Sequence, residues 1–509
     1  MKNNIRINVI VNVIRTLVLT LLSFITFPWV CRYLGDSAVG TYSWVSTFVL
    51  YFLILAKNGI PNLAVRECVK VRDDKEKLSN KVQGFFLLQC ATTVLSFGLM
   101  CVVVFTVPAI RDSSALVFIL SLNFLSSAFA FEWVFIALEK QFYMSVRSIV
   151  ALTISAIITI AFVTTPSDIY IYALSSVSVA IITAVANFVY IRKFISFKKT
   201  MPYDFKQYIK PLSVLFALTL LISLYNQTDT FILGFINIDK SEVASYSVGI
   251  KGVDIIIGII TALSTVFIPR AAFYYGKEDK RFFNNLTKYS TNICLFVVLP
   301  AIVTMCVLAK PICSLISGTY DYSNTDAGYL TAPTVLITLS AMMLTYSLGD
   351  IIYSQILLPM KKEKYYLYAM GGGTIINIVL SIVLGGILPA KVAWLSPSVG
   401  VAIGTVCTDL LMLIFLFGVT WEWIKKAIFN KNTLKLLVAN IAILAISLLL
   451  YRPLNKLWEV LSLSMAMTYI MQLIVVVLID GIVYLVILGA IKEDLVYSFI
   501  RKDKVREEE

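Results

Sequence analysis

Fourteen apolar stretches divide the chain, near residues 9–34, 39–60, 82–107, 114–138, 148–165, 169–191, 212–236, 244–268, 289–309, 330–353, 365–388, 399–420, 434–451 and 462–490. Most reach the ~20 residues that carry a helix across ~30 Å of hydrocarbon. The pattern predicts an all-α integral membrane protein of about 14 transmembrane helices. Two motifs recur in order along it. Gly40–Trp44 (GTYSW) returns as Ala244–Val248 (ASYSV), and Gly59–Glu67 (GIPNLAVRE) as Phe267–Tyr275 (FIPRAAFYY). An even number of spans in each half gives both copies the same orientation. The repeats are therefore expected to be parallel, related by an axis along the membrane normal, with substrate held between two half-bundles. On this reading residues 1–191 form an N-terminal lobe (helices 1–6) and 192–211 a basic cytoplasmic linker. Residues 212–420 form a C-terminal lobe (helices 7–12), and 421–509 supply helices 13 and 14 and a cytoplasmic tail.

Composition agrees with the pattern: 59% of residues are hydrophobic and 14% charged, against about 45–50% and 25% in soluble domains. The net charge of +13 changes the picture only through its distribution. Of 43 Lys and Arg, only Arg32, Arg111, Lys240, Lys310, Lys391, Arg452 and Lys456 fall in one set of alternating loops, and Arg15, Lys57 and Lys251 inside spans. All others gather on the side of the N-terminus, which the positive-inside rule makes cytoplasmic for both termini. Cations at helix ends anchor spans and meet anionic membrane lipids; nucleic acid is not an expected partner. The first span lacks a convincing cleavage site and reads as a retained helix. The eight cysteines form no C-x-x-C pair, and no secretory disulfide framework is expected. Outer loops are short, the longest around Lys310–Leu330, which argues against a membrane enzyme such as a polysaccharide polymerase or ligase. Pro28, Pro300, Pro333 and Gly371–Gly373 fall within apolar stretches, as breakers inside helices.

A charge at the centre of a membrane helix costs at least ~2.5–3.5 kcal/mol, so it needs a partner or a wet cavity. Arg15, Lys57 and Lys251 are the candidate cavity cations. The structural alternative pairs Arg15 or Lys57 with Glu132, and Lys251 with Asp254 one helical turn on. Glu132, Asp229 and Asp254 are the candidate coupling or charge-neutralising acids; Asp350, Asp409 and Asp480 are further acids in spans. Asn12, Gln89, Asn123, Tyr225 and Asn226 are candidate sugar contacts or, equally, hydrogen-bonding glue between helices. The chain has no histidine. That removes the usual near-neutral proton carrier and the usual zinc ligand, and no metal or cofactor is expected. Coupling falls to carboxylates, to Na⁺ or to the membrane potential alone. A cavity lined by cations suits an anionic cargo and repels a cationic drug.

Phe27–Tyr42 (FPWVCRYLGDSAVGTY), Asn58–Lys77 (NGIPNLAVRECVKVRDDKEK) and Asp350–Tyr366 (DIIYSQILLPMKKEKYY) resemble Wzx-type polysaccharide flippases, as do Asn377 and Ser398–Thr405 (SVGVAIGT). That family belongs to the superfamily that also holds multidrug exporters and lipid II flippases. The resemblance spans nearly the whole chain and implies a MATE-like arrangement of the two repeats. It implies a non-enzymatic carrier that flips an isoprenoid-pyrophosphate-linked oligosaccharide repeat unit across a bacterial inner membrane by alternating access. The glycan would serve O-antigen, lipopolysaccharide or capsule synthesis. Lipid-linked oligosaccharide and membrane lipids would be its partners, with glycan polymerase machinery beside it, and a monomer would suffice. Lipid II flippases carry basic cavity residues on helices 1, 2 and 8, the helices of Arg15, Lys57 and Lys251. A multidrug or cation antiporter of the same superfamily is the alternative.

Overall fold

A computed structural model describes residues 5–198, 203, 205–237, 239–277, 279–324, 327–392, 395–460 and 464–501. Every regular element among them is helical. Thirteen helices are long and apolar enough to cross a membrane, and the first is long enough to cross twice. Contacts divide the chain into two compact units, Met1–Val243 and Ala244–Glu509.

In the first unit, α1 (Ile5–Lys57) is two arms joined at Gly35, whose φ of 76° and ψ of 173° no residue with a Cβ readily adopts. Pro28 lies within the first arm, and the helix continues through it. Apolar side chains such as Leu17, Leu21 and Ile25 point outward from that arm, as a lipid-facing surface requires. Near the Gly35 end Trp29 donates from Nε1 to the Val163 carbonyl at 3.0 Å, and the Tyr42 ring lies against Tyr172. At the far end of α1 the helix stops because Asn58 (φ 45°) and Gly59 (φ 69°) are both left-handed. The chain then turns into α2 (Ile60–Val69), with Pro61 in its first turn, where a missing N–H is no loss.

Asp74 caps α3 (Lys75–Thr106), accepting from the backbone N–H groups of Glu76 and Lys77. Next comes α4 (Ser114–Ala137), a stepped span interrupted at Leu122 and again at Phe131, which is left-handed without being glycine (φ 48°). Arg72 bonds Glu139 at 2.7 Å and ties the turn before α3 to the turn after α4. The unit is completed by α5 (Gln141–Phe162), α6 (Ile169–Ile191) and α7 (Lys206–Ile236). Helix α7 starts inside the stretch expected as linker. The chain just before it is held by α3: Gln83 donates to the carbonyls of Ser196 and Lys198, and Ser79 accepts from the Ser196 N–H. Phe85, Phe131, Trp133 and Phe135 fill the core at this basic end, with Ile60 and Leu63 of α2 packed on them.

The second unit holds α8 (Ser241–Gly276), α9 (Lys280–Val307), α10 (Ala332–Leu357), α11 (Lys364–Ile387), α12 (Pro397–Ile428), α13 (Lys431–Val460) and α14 (Met465–Ala490). Pro300 sits inside α9, whereas Pro333 falls in the first turn of α10, not inside a span as expected. The Lys310–Leu330 loop contains a short helix, Ala309–Ser317, stopped by Gly318 at φ 79° and packed on α14. Both α10 and α11 end in π-helical turns, at Ile352–Leu357 and Ser381–Ile387. The second of these lets α11 approach α12 backbone to backbone. A Cβ on Gly400 would collide with the Leu384 carbonyl, and one on Gly404 would stand 3.2 Å from the Leu380 Cβ. Asn377 donates to Thr405 across the same seam at 3.3 Å. The Ser398–Thr405 pattern is thus the small-residue face on which two membrane helices meet.

Candidate functional site

A cavity of about 520 Å³ opens within the first unit, in the range that small-molecule sites occupy. Lys57, the last residue of α1, stands on its wall beside Gly59, Pro61 and Asn62. The two left-handed residues explain that placement. They end α1 at Lys57 and swing the first turn of α2 along the rim. Asn123, Ser126, Ser127, Ala130, Phe131, Glu132 and Trp133 come from the stepped span α4. Its break at Phe131 leaves Glu132 at the start of a new short helix, with its side chain 48% exposed. Backbone bends of this kind are tolerated at membrane depth where they line a cavity. Ser176, Val179, Ala180 and Thr183 line one face of α6, spaced by three and four residues. From Ser176 to Thr183 the wall covers about 10 Å of depth. Thr219 of α7 closes it. About half of the surface is polar, supplied by hydroxyl, amide and charged side chains.

Two charges of opposite sign share the cavity, and they are treated differently. Glu132 Oε1 bonds Nη2 of Arg147 at 2.7 Å, and Arg147, on α5, is only 6% exposed. Nη2 also donates to Ser148 at 3.2 Å, while Nε and Nη1 have no partner among the described residues. A buried guanidinium with so few bonds depends on that single carboxylate for compensation. Lys57 makes no ion pair among the described residues. The expected pairing of Arg15 or Lys57 with Glu132 is therefore not formed: Arg147 takes Glu132. Close by, Tyr143 donates to Asn187 at 3.0 Å, and Asn187 donates to the Ala130 carbonyl, which fixes the step in α4.

Three of the residues named from the sequence, Lys57, Asn123 and Glu132, meet on this cavity. Gln89 does not line it. Its Nε2 donates to the Ala56 carbonyl at 2.7 Å and to Ser127 at 3.2 Å, behind the wall. Arg15 stands on the first arm of α1, partly buried, with Nε unpartnered among the described residues. Asn12 lies outside the described side chains. On α7, Tyr225 and Asp229 are buried and Asn226 is exposed; the Tyr225 hydroxyl has no partner among the described residues. Lys251 and Asp254 belong to the second unit, on one exposed face of α8, where the lysine acts on the carboxylate's charge. Also in that unit, Asp480 accepts from Ser447 at 2.6 Å and Asp409 from Thr345 at 3.4 Å.

Sequence reasoning missed Arg147, which falls among the basic residues next to a loop. One signal was available. Arg147, Ala151, Ser155 and Thr159 recur every fourth residue, and all four are buried. A stripe of small residues marks the inward face of a membrane helix, and Arg147 heads it.

Fold and composition together define a multi-pass membrane protein, all-α among its described residues. The chain belongs to the polysaccharide biosynthesis protein family, which it matches over residues 5–274, more than half its length. Residues 215–383 also match the MatE family. Among curated proteins it is 21% identical over 362 residues to a protein of Escherichia coli (strain K12) named for O-antigen transport, covering 71% of this chain and 85% of that one. Among solved structures it resembles the lipid II flippase MurJ in an inward closed conformation, with TM-score 0.71, 17% identity, and 95% and 99% of the two chains covered. It also resembles an inward-facing multidrug resistance MATE family transporter, with TM-score 0.61, 13% identity, and 80% and 96% covered. At these identities the structural likeness defines the fold.

Proposed function

We propose that this protein flips an isoprenoid-pyrophosphate-linked oligosaccharide repeat unit from the cytoplasmic to the outer leaflet of a bacterial inner membrane by alternating access. The observation that carries the reading is the polar cavity of the first unit, where Lys57 has no counter-ion among the described residues and Glu132 is engaged by Arg147. A headgroup of that cargo needs hydroxyl and amide partners for sugar and a cation for its phosphates, while its tail stays in lipid. The polysaccharide biosynthesis family, the relative named for O-antigen transport and the fold shared with a lipid II flippase support the same reading. An exporter of cationic drugs would instead present an unpaired acid, and Glu132 is not one.

In this proposal Lys57 meets the anionic headgroup and Asn123 a sugar, with Arg15 and Lys251 further cations on the path. Asn12, Tyr225 and Asn226 are the remaining polar positions for sugar or for helix glue, and Gln89, behind the wall, serves as glue. Asp229 and Asp254 neutralise charge or carry a coupling proton. Lys and Arg place both termini in the cytoplasm. Residues 1–191 and 212–420 act as two lobes joined by the 192–211 linker, with 421–509 appended. The glycan is an O-antigen or capsule unit, handed on to polymerase machinery. An inside-negative potential favours outward passage of an anion by ~2.3 kcal/mol per charge per 100 mV.

The test is surface glycan in cells lacking the gene, complemented with the wild type, Lys57→Ala or Lys57→Arg at equal membrane abundance. The expected result is loss of surface glycan with Lys57→Ala, accumulation of lipid-linked units inside, and recovery with Lys57→Arg. Undiminished glycan in the deleted cells would overturn the reading and favour a drug or cation exporter.

A further inference from the structure

We propose that Arg147 is a positioning residue: by holding Glu132 it leaves Lys57 available to an acidic group of the cargo, a carboxylate or a phosphate, and so sets the charge preference of the cavity without touching the ligand. The inference rests on the flippase reading for the ligand's origin, but its geometry stands apart from it. Lys57 and Glu132 line one cavity, and two long side chains of opposite charge on one cavity wall would ordinarily bond each other. They do not pair here; Glu132 is instead held at 2.7 Å by a guanidinium that is 94% buried. That guanidinium has no second acid among the described residues, and two of its three nitrogens bond nothing there. Removing the carboxylate from a buried arginine leaves an uncompensated charge, so Arg147 holds Glu132 firmly. As a consequence the cavity keeps one ammonium without an ion pair among the described residues. Arg147 is thus a positioning residue, and Lys57 is the contact.

The chemistry recognised is an oxyanion beside hydroxyl and amide groups. Asn62, Asn123 and Thr183 line the same cavity as Lys57 and offer amide and hydroxyl groups. A uronate in the glycan and the phosphates of the lipid carrier both fit, and inorganic pyrophosphate and glucuronate separate the two sources.

Purified full-length protein in nanodiscs would be titrated with inorganic pyrophosphate, glucuronate and glucose, following ligand-induced thermal shifts. The wild type is expected to respond to at least one of the two anions and not to glucose alone. Lys57→Gln and Arg147→Gln should each weaken the anion response about tenfold, and Arg147→Lys should keep it. The double variant Arg147→Gln with Glu132→Gln should regain it, because no carboxylate is left to capture Lys57. A purely structural Arg147 would not be rescued by removing Glu132. Wild-type binding by Arg147→Gln, or no binding by a folded double variant, would overturn the proposal. Should neither variant fold, acylation of Lys57 in the unaltered protein decides: protection by pyrophosphate or glucuronate supports the proposal, and absence of protection overturns it. Anion binding with this pattern but intact glycan in deleted cells would sink the cargo reading alone. Lost glycan without anion binding would sink the subsite alone.

Discussion

Gln89 donates from Nε2 to the carbonyl of Ala56 at 2.7 Å, and so fastens α3 to the last turn of α1 next to Lys57. Thr92 donates to the same carbonyl at 2.6 Å. A backbone carbonyl near a helix end has lost its intrahelical partner, and these two side chains replace it. Gln89→Leu should lower stability by roughly 0.6–2 kcal/mol and loosen the wall on which Lys57 stands. Thermal unfolding in detergent would register the first effect, and a raised substrate requirement for glycan display the second. An unchanged melting temperature would mean that Thr92 alone suffices.

Gly400 tests the seam between α11 and α12. Gly400→Ala drives a methyl into the Leu384 carbonyl, and overpacking of backbone against backbone costs roughly 1–3 kcal/mol. Gly98 has nothing within 4 Å of its missing Cβ and is the control. Gly98→Ala should be neutral or slightly stabilising, because glycine weakens a helix interior. Membrane abundance and melting temperature of the two variants should move apart; equal behaviour would remove the seam from the account.

Gly35 joins the arms of α1 in a conformation that side chains avoid, with open space around it. Alanine there meets no neighbour, so its whole cost is backbone strain of roughly 1–3 kcal/mol. Gly35→Ala should lower the melting temperature without blocking chain insertion, read by unfolding of purified protein and by protease accessibility in membranes.

Asp74 tests the cap of α3. Backbone and side-chain hydrogen bonds from Lys77 hold its carboxyl below the usual carboxylate range. A folded value depressed below the unfolded one stabilises the protein above the unfolded value, and the contribution is lost as pH falls through the folded one. Amide exchange at Glu76 and Lys77 should therefore accelerate on acidification in the wild type. In Asp74→Asn, which caps without a charge, it should not follow the same titration.

The sequence outlined the helices well because a membrane span must be long, apolar and closed by polar turns. The crossing pair in α1 is an example: its two stretches were read as separate spans, and the helix bends between them at Gly35. Lys57, Asn123 and Glu132 were visible for the same reason, as polar residues where apolar ones prevail. What escaped was set by tertiary packing. The break at Phe131 carries no glycine or proline, and Pro333 starts a helix instead of interrupting one. Arg147 sits where positive charges usually meet lipid headgroups, and its bond to Glu132 and its burial show it to be internal.

The bond between Glu132 and Arg147 also bears on how the chain enters the bilayer. The acid is synthesised first, and its base follows fifteen residues later, across a three-residue turn. Until Arg147 arrives, α4 carries a carboxylate that lipid receives poorly; afterwards α4 and α5 form a hairpin whose charges cancel. A nascent chain halted before Arg147 should leave α4 lingering at the insertion channel, and one halted after α5 should release both helices together.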